Sequence, residues 1–509
     1  MIADLASDSS ALGRLASEHS KILVVGSGAG GASVAYKLAS LGADVVVLEM
    51  GPKVTMEDFS AHPYATFRKI YVQGGLTGTF GNAIVSLPFG SGLGGTTTIN
   101  SGTCFLPPCE VLETWRREFG LKGLDIEALE QEAKEVESLL GVGETPEMLA
   151  SKNNRLFARG ARALGLQGGY LRRNAPQCKG CGICCFGCPS GAKTSMERSL
   201  LPKASKKGVR IYTNARVDRL HLKGALVESV TVCPTHLPDS AGIRVKLETM
   251  VFSGGAIFSP LLLLGQGGGF RRMGAIGRNL KVHPASKVLA EFIEPFEPFN
   301  GVPQAFFVDA LKRRGIMLEG VSMPPDLGSA AVPFFGRKHA ELMARFGRLA
   351  SFGIMVSDTS SGRVISVGKN RFLLWYNLNR SDTERFQEGI ALAAKVYLAA
   401  GAQRVLLPTY PAIEVGTEKD VQRFLSAKLK PRSLELAAFH PMGTLRMGTN
   451  PEEGVIDADL KVHGLDNLFV CDASIFPSSL GVNPQISIMA FGFRLAEKLT
   501  AKKRKEARR

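Results

Sequence analysis

Long apolar runs are missing from this sequence. The most apolar stretch, near Phe258–Leu264, is far shorter than a bilayer requires, so no transmembrane segment is expected. Residues 1–20 carry acids and no apolar core, which argues against a secretory leader. A cytoplasmic chain is therefore expected, and its nine cysteines read as thiols rather than disulfides. There is no internal repeat and no low-complexity segment. No nucleic-acid recognition motif or interleaved aromatic platform accompanies the net charge of +16, so nucleic acid is not an expected partner. Part of that charge sits in a tail, Lys502, Lys503, Arg504, Lys505, Arg508 and Arg509. It reads as a solvated, frayed end, or as attraction to an acidic redox partner or an anionic membrane surface. Peripheral contact with the inner membrane face is compatible with it.

At 509 residues the chain is too long for one simple core, and two or more domains are expected. Fifty-seven glycines suit tight turns and loops that lie against a ligand. The clearest such turn lies within residues 21–49. Ile22–Val25 is an apolar run fit for a buried parallel strand. Gly26, Gly28 and Gly31 follow in G-x-G-x-x-G spacing, for a sharp turn, close approach to a pyrophosphate, and helix–strand packing. Ala32, Ala35, Leu38 and Ala39 stripe a helix, Gly42 stops it, and Val45–Leu48 is a second strand. Glu49 ends that strand as an acceptor for ribose hydroxyls. An adenine dinucleotide site is expected, NADP being the poorest fit because Glu49 would repel a 2′-phosphate.

Further along, Gly90–Asn100 has little bulk around Gly94 and Gly95, as a backbone lying against a flat ligand requires, with Asn100 and the threonines as polar contacts. Residues 110–165 read as helical, with a solvated charged face over Glu127–Glu137. Strands are expected at Val209–Tyr212, Val227–Val232 and Ile243–Leu247, and a strand–glycine turn–helix over 251–264. Residues 285–436 carry more prolines and aromatics, with strands at Phe352–Val356 and Phe372–Tyr376 and a helix over Asp382–Ala400. Phe306, Phe307, Met317, Phe334 and Phe335 there read as core, or as a wall for an apolar, sterol-like molecule.

Glycine motifs return near the C-terminus. His440-Pro-Met-Gly-Thr-Leu-Arg-Met-Gly448 is followed by Val462–Ser474, then by Gly481-Val-Asn483-Pro484-Gln485 and a closing helix with Ala490, Arg494 and Leu495. With residues 22–49, 90–104, 251–264 and 277–284, these motifs resemble the glucose–methanol–choline (GMC) flavin oxidoreductases, in order over nearly the whole chain. The resemblance implies an α/β fold (α+β overall): a Rossmann-like FAD-binding domain and a discontinuous second domain with an antiparallel substrate-binding sheet. The expected spans are 20–284 for the FAD domain, 285–436 for the substrate domain, 437–500 returning to the FAD domain, and 501–509 as tail. It implies FAD, noncovalent or histidine-linked, and oxidation of a small-molecule alcohol by hydride transfer to the flavin. By position, Gly26, Gly28, Gly31 and Glu49 match the ADP site, Asn100 the flavin loop, and Val217 the adenine strand. Asp472 and Ala473 match the pyrophosphate and ribityl contacts, and Gln485 the place beside the flavin. His440 matches the active-site base, since imidazole can accept a proton near neutrality, and Asn483 its partner, which orients the substrate oxygen. His283 and His463 read as structural. Ser91 and Gln266 depart from the family pattern. Oxidase and dehydrogenase remain open, and so do a lyase on the same scaffold and an electron-transfer flavoprotein subunit.

Cys178, Cys181, Cys184 and Cys188, with Pro189, fit C-x₂-C-x₂-C-x₃-C-P, the ferredoxin run. An iron–sulfur cluster, zinc, and metal-free thiols packed under the FAD domain are the three readings. The segment ending Gly187–Lys193 also resembles that of long-chain alcohol oxidase and dehydrogenase relatives. A cluster would favour a quinone or redox-protein acceptor over oxygen. Cys104, Cys109, Cys233 and Cys471 read as small buried residues.

Overall fold

The computed structural model describes residues 1–59, 63–237, 240–368 and 371–506. Ile22–Val25 lies in the strand His19–Val25, whose last four residues are all buried, as a continuous apolar block demands. Its parallel neighbours are Val45–Leu48 and Ile243–Phe252. Arg210–Thr213 and then Ile2–Asp4 extend the sheet beyond Val45–Leu48, and Leu468–Val470 joins the end of Ile243–Phe252. On the other side Ile243–Phe252, Leu226–Pro234 and Ala215–Lys223 form an antiparallel meander. The sheet is thus Rossmann-like in one half and antiparallel in the other.

The helix Ile126–Leu140 is capped by Asp125, which accepts the Ala128 N–H, and stopped by Gly141 at φ 62°. Its charged face is not wholly solvated, contrary to the sequence pattern. Glu132 and Glu137 are buried, reached by Lys37 and Arg172 from other elements. The closing helix Gln485–Glu506 packs against Ala29–Ser40 and Ile126–Leu140. It carries the chain beyond the point where a frayed tail was expected; residues 507–509 lie outside the described residues.

A second, mainly antiparallel sheet centres on Ala285–Glu291, paired with Leu349–Val356 and Arg404–Leu407. Ile316–Gly320, Phe306–Val308 and Gly168–Tyr170 continue it. The helix Arg380–Ala399 lies across it, its start capped by Asn379, which accepts the Asp382 N–H. Gly389 lets it sit close: a Cβ there would come within 2.5 Å of Ile354 Cγ2. A smaller sheet runs Arg278–Leu280, Ser361–Ser366, Phe372–Asn377, Thr79–Phe80. Each of the two large sheets has its own apolar core. No described helix is long and apolar enough to cross a membrane.

Candidate active site

A cavity of about 1220 Å³ runs from the glycine turn of the first sheet to the inner face of the second. That exceeds the roughly 300–1,000 Å³ of a usual small-molecule pocket, leaving room for a dinucleotide and a second ligand together. At the glycine end each residue of the turn has a separate reason. Gly26 has φ +99°, and a Cβ on Gly31 would lie 1.9 Å from the Gly26 carbonyl oxygen. A Cβ on Gly28 would meet only Gly95 Cα, 4.0 Å away, so its backbone is open to a ligand.

Glu49 is buried at the end of Val45–Leu48. Its Oε2 accepts the Ser27 N–H (2.9 Å) and hydroxyl (2.7 Å), and its Oε1 accepts the Gly51 N–H (2.8 Å). Burial pushes its carboxyl pKa up, against these hydrogen bonds. Glu49 also lines the cavity, at the place where a ribose hydroxyl would meet the end of the strand. Ser27 Oγ in turn accepts the Gly94 N–H (3.0 Å), tying the glycine turn to the Gly90–Asn100 loop. Asp472 is buried and accepts from Gly255 N, Ser259 Oγ and Ser474 N at 2.6–2.9 Å. Val217 and Ala473 line the same cavity.

The loop with Gly94, Gly95 and Asn100 meets the closing helix here. Asn100 Nδ2 donates to Gln485 Oε1 (3.0 Å), and Gln485 Nε2 donates to the Thr103 carbonyl (2.7 Å). Lys193 is buried beneath the loop and donates to the carbonyls of Thr98 (2.8 Å) and Asn100 (2.7 Å). Burial lowers its pKa, partly offset by nearby Cys184 and Glu197.

At the other end His440 Nε2 lies 3.3 Å from Asn483 Nδ2. With the Asn483 amide placed this way its nitrogen donates, and Nε2 is the acceptor when the ring proton of neutral His440 is on Nδ1. The His283 ring stands at 86° to that of His440, centroids 5.5 Å apart, and its Nε2 accepts the Gly481 N–H (2.9 Å). His283 thereby steadies the Gly481–Asn483 turn. Its own backbone, at φ 47°, is fixed by Asp358, which accepts the Val282 and His283 N–H groups (both 3.2 Å). His463 lies elsewhere, 3.2 Å from the Gly448 carbonyl.

Sequence reasoning missed Glu319. It is a buried carboxyl on Ile316–Gly320 facing the cavity, and its Oε2 accepts from Gln304 Nε2 (2.6 Å). Gln304 Oε1 accepts the Thr103 hydroxyl (2.8 Å), so a polar chain links the end of the Gly90–Asn100 loop to Asn483. An acid within the otherwise apolar run Ile-Met-Leu-Glu-Gly was the available signal. Burial pushes the Glu319 pKa up to about 7, and Asn483 and Gln304 oppose this. Burial draws His440 down to about 4. Four buried polar atoms converge here without a partner: Nδ1 of His440, Nδ1 of His283, Oδ1 of Asn483 and Oε1 of Glu319. Buried polar atoms are normally paired, and such a cluster marks the place of a ligand.

The four cysteines of the ferredoxin-like run are not brought together as metal ligands. Arg173 donates to Cys178 Sγ (3.7 Å) and Cys184 Sγ (3.2 Å), the Lys193 N–H donates to Cys188 Sγ (3.3 Å), and Cys181 is exposed. Among the described residues no three His, Cys, Asp or Glu side chains are arranged to hold a metal. The run instead braces the loop through Lys193, which also donates to the Cys184 carbonyl (3.3 Å). This arrangement lends no support to iron–sulfur or zinc. Cys104, Cys233 and Cys471 are buried as expected, whereas Cys109 is exposed. The aromatic wall also differs from expectation. Phe306 and Met317 are core, Phe335 is 85% exposed, and the cavity takes Phe89, Phe258, Val321, Met323 and Leu327 instead.

Residues 67–285 and 359–492 match the two models of the GMC oxidoreductase family, and residues 24–65 match an NAD(P)-binding Rossmann-like domain. An uncharacterized GMC-type oxidoreductase of Mycobacterium tuberculosis is 37% identical over 94% of this chain and 76% of its own. A long-chain-alcohol oxidase of Arabidopsis thaliana is 28% identical over 94% of this chain and 67% of its own. Among solved structures, pyridoxine 4-oxidase from Mesorbium loti superposes with a TM-score of 0.72 at 20% identity, covering 94% of this chain and 99% of that one.

Proposed function

This chain belongs to the GMC oxidoreductase family, and from that premise we propose that it binds FAD and oxidises the CH–OH group of an apolar alcohol. The observation that carries the proposal is the 3.3 Å separation of His440 Nε2 and Asn483 Nδ2, both of which line the cavity. The two groups face one another closely enough that a hydroxyl seated beside the pair can reach both of them. The hydroxyl oxygen then accepts from Asn483 while its proton points at the His440 lone pair. Burial holds His440 in its neutral form, which leaves a lone pair to receive the proton as the hydroxyl reacts. Asn483 holds the oxygen in register, and orientation is a large part of the rate. FAD, when bound, supplies the hydride acceptor. Gly26, Gly28, Gly31, Glu49, Asp472, Gly94, Gly95 and Asn100 would hold it. The residues fit: the glycine turn opens onto the cavity, Glu49 lines it, and Asn100 and Gln485 are hydrogen-bonded to each other beside it.

An apolar substrate is supported by the wall of Phe89, Phe258, Val321, Met323 and Leu327, and by the long-chain-alcohol oxidases among the relatives. Turnover of primary alcohols of increasing chain length, read as aldehyde formed, tests this. Catalytic efficiency is expected to rise with chain length, by up to about fourfold per buried CH₂. Turnover of a substrate without flavin reduction would point to a lyase instead and overturn the proposal.

A further inference from the structure

Four side chains on four strands form a row across the outer face of the small sheet. Phe80 pairs with Trp375, Trp375 with Arg363, and Arg363 with Arg278. Residues in register share a face, and neighbours along a strand alternate. Accordingly Val364, Leu374 and Tyr376 point inward and are buried, while Phe80 is 58% and Trp375 41% exposed. Leu373 and Arg371 are exposed on the approach to Trp375. No acid stands among the outward residues of these strands, and Arg278, Arg363 and Arg371 form no ion pair among the described residues. Large apolar side chains left in water beside unpaired guanidiniums call for a partner that is both apolar and anionic.

The sheet adjoins the cavity through its inward side, where Phe372 packs on Phe258 and Phe89 of the cavity wall, with ring centroids 5.9 and 6.4 Å apart. The hairpin that carries Phe80 begins at Leu76, which lines the cavity yet is 89% exposed. Ile84, on the same hairpin, is 77% exposed. We propose that this face docks on an anionic lipid bilayer, with Trp375 and Phe80 at the acyl–headgroup boundary and the arginines on lipid phosphates. Tryptophan and arginine are suited to that boundary, one amphipathic and the other cationic on a long stem. Docking there sets Leu76 and the cavity mouth against the membrane. The inference stands apart from the proposed chemistry, because lipid binding is measured without turnover.

The chain has two tryptophans, and Trp115 is buried with its indole N–H donating to Ser478 Oγ (2.7 Å), so a fluorescence shift on binding reports Trp375. The holoprotein is mixed with vesicles of phosphatidylcholine alone, or of phosphatidylcholine with phosphatidylglycerol. Co-sedimentation and a blue shift are expected with the anionic vesicles only, both weakening as salt is raised. Arg363→Gln is expected to weaken binding about fivefold and Phe80→Asp at least tenfold, at unchanged melting temperature, while Lys246→Gln on the other sheet changes little. Absence of binding, binding without a blue shift, or equal binding to neutral vesicles would overturn the proposal. So would equal loss in Lys246→Gln and Arg363→Gln, which makes net charge the cause. A concentration-dependent blue shift without lipid would assign the face to a second copy of the chain instead.

Discussion

The two ends of the cavity hold their buried carboxyl groups differently, although each end keeps buried polar atoms without a partner, Ser253 Oγ and Ser474 Oγ among them at the glycine end. At the glycine end Glu49 and Asp472 each accept three hydrogen bonds from the chain itself. At the histidine end His440, His283, Asn483 and Glu319 each keep one buried atom without a partner. An unpaired buried polar atom costs about 1–3 kcal/mol. On the proposed function, the carboxylates of the glycine end are held by the chain itself and serve to fix a ligand, while the open groups of the histidine end are left for the reacting ones. Binding and chemistry are thus assigned to separate ends of one cavity, and substitutions at the two ends should fail in different ways.

The largest effect is expected at the histidine end. His440→Ala should lower kcat/KM about 10²–10⁴-fold while flavin content stays unchanged, measured by steady-state kinetics and visible absorbance. Loss of flavin in this variant would break the division between the ends. Gly31→Ala is the converse: its Cβ meets the Gly26 carbonyl at 1.9 Å, and such overpacking costs about 1–3 kcal/mol. Flavin affinity should fall about 10–100-fold, and the protein that retains flavin should turn over normally. Lys193→Met removes the brace under the flavin loop; roughly tenfold weaker flavin binding is expected by titration of the apoprotein, with little change in kcat.

The smallest effect concerns stability. Folding raises the Glu319 pKa from 4.5 to about 7, so the folded state takes up a proton between those values. Stability therefore falls as pH rises through that window, and the cost is complete above pH of about 7. Glu319→Gln should melt a few degrees higher than the wild type at pH near 8, with the gain gone near pH 4. A gain that does not vary with pH would mean that the carboxyl is not the source.

Much of the frame was legible from residue order. The apolar blocks Ile22–Val25 and Val45–Leu48, and the glycines between them, can make few structures other than the observed strand–turn–helix–strand. Asn483 and His440 are 43 residues apart, and only a family resemblance could place them together before the 3.3 Å contact was seen. Glu319 was not legible as a site residue because its neighbours along the chain say only that it sits in a buried strand. Its meaning comes from Gln304 and Asn483, brought to it by tertiary folding. The cysteine run is a related case: spacing permits a cluster but does not require one, and the hydrogen bonds from Arg173 and Lys193 to its sulfurs are contacts that no spacing encodes.

The division between the ends can be tested in one anaerobic experiment. Purified wild type and His440→Ala are each mixed with a long-chain primary alcohol while the visible spectrum is followed. Both proteins should show the same flavin bands, with those of the wild type bleaching promptly and those of the variant remaining. A wild type without flavin, or a variant that bleaches as fast as the wild type, would contradict the assignment of His440 to the chemistry.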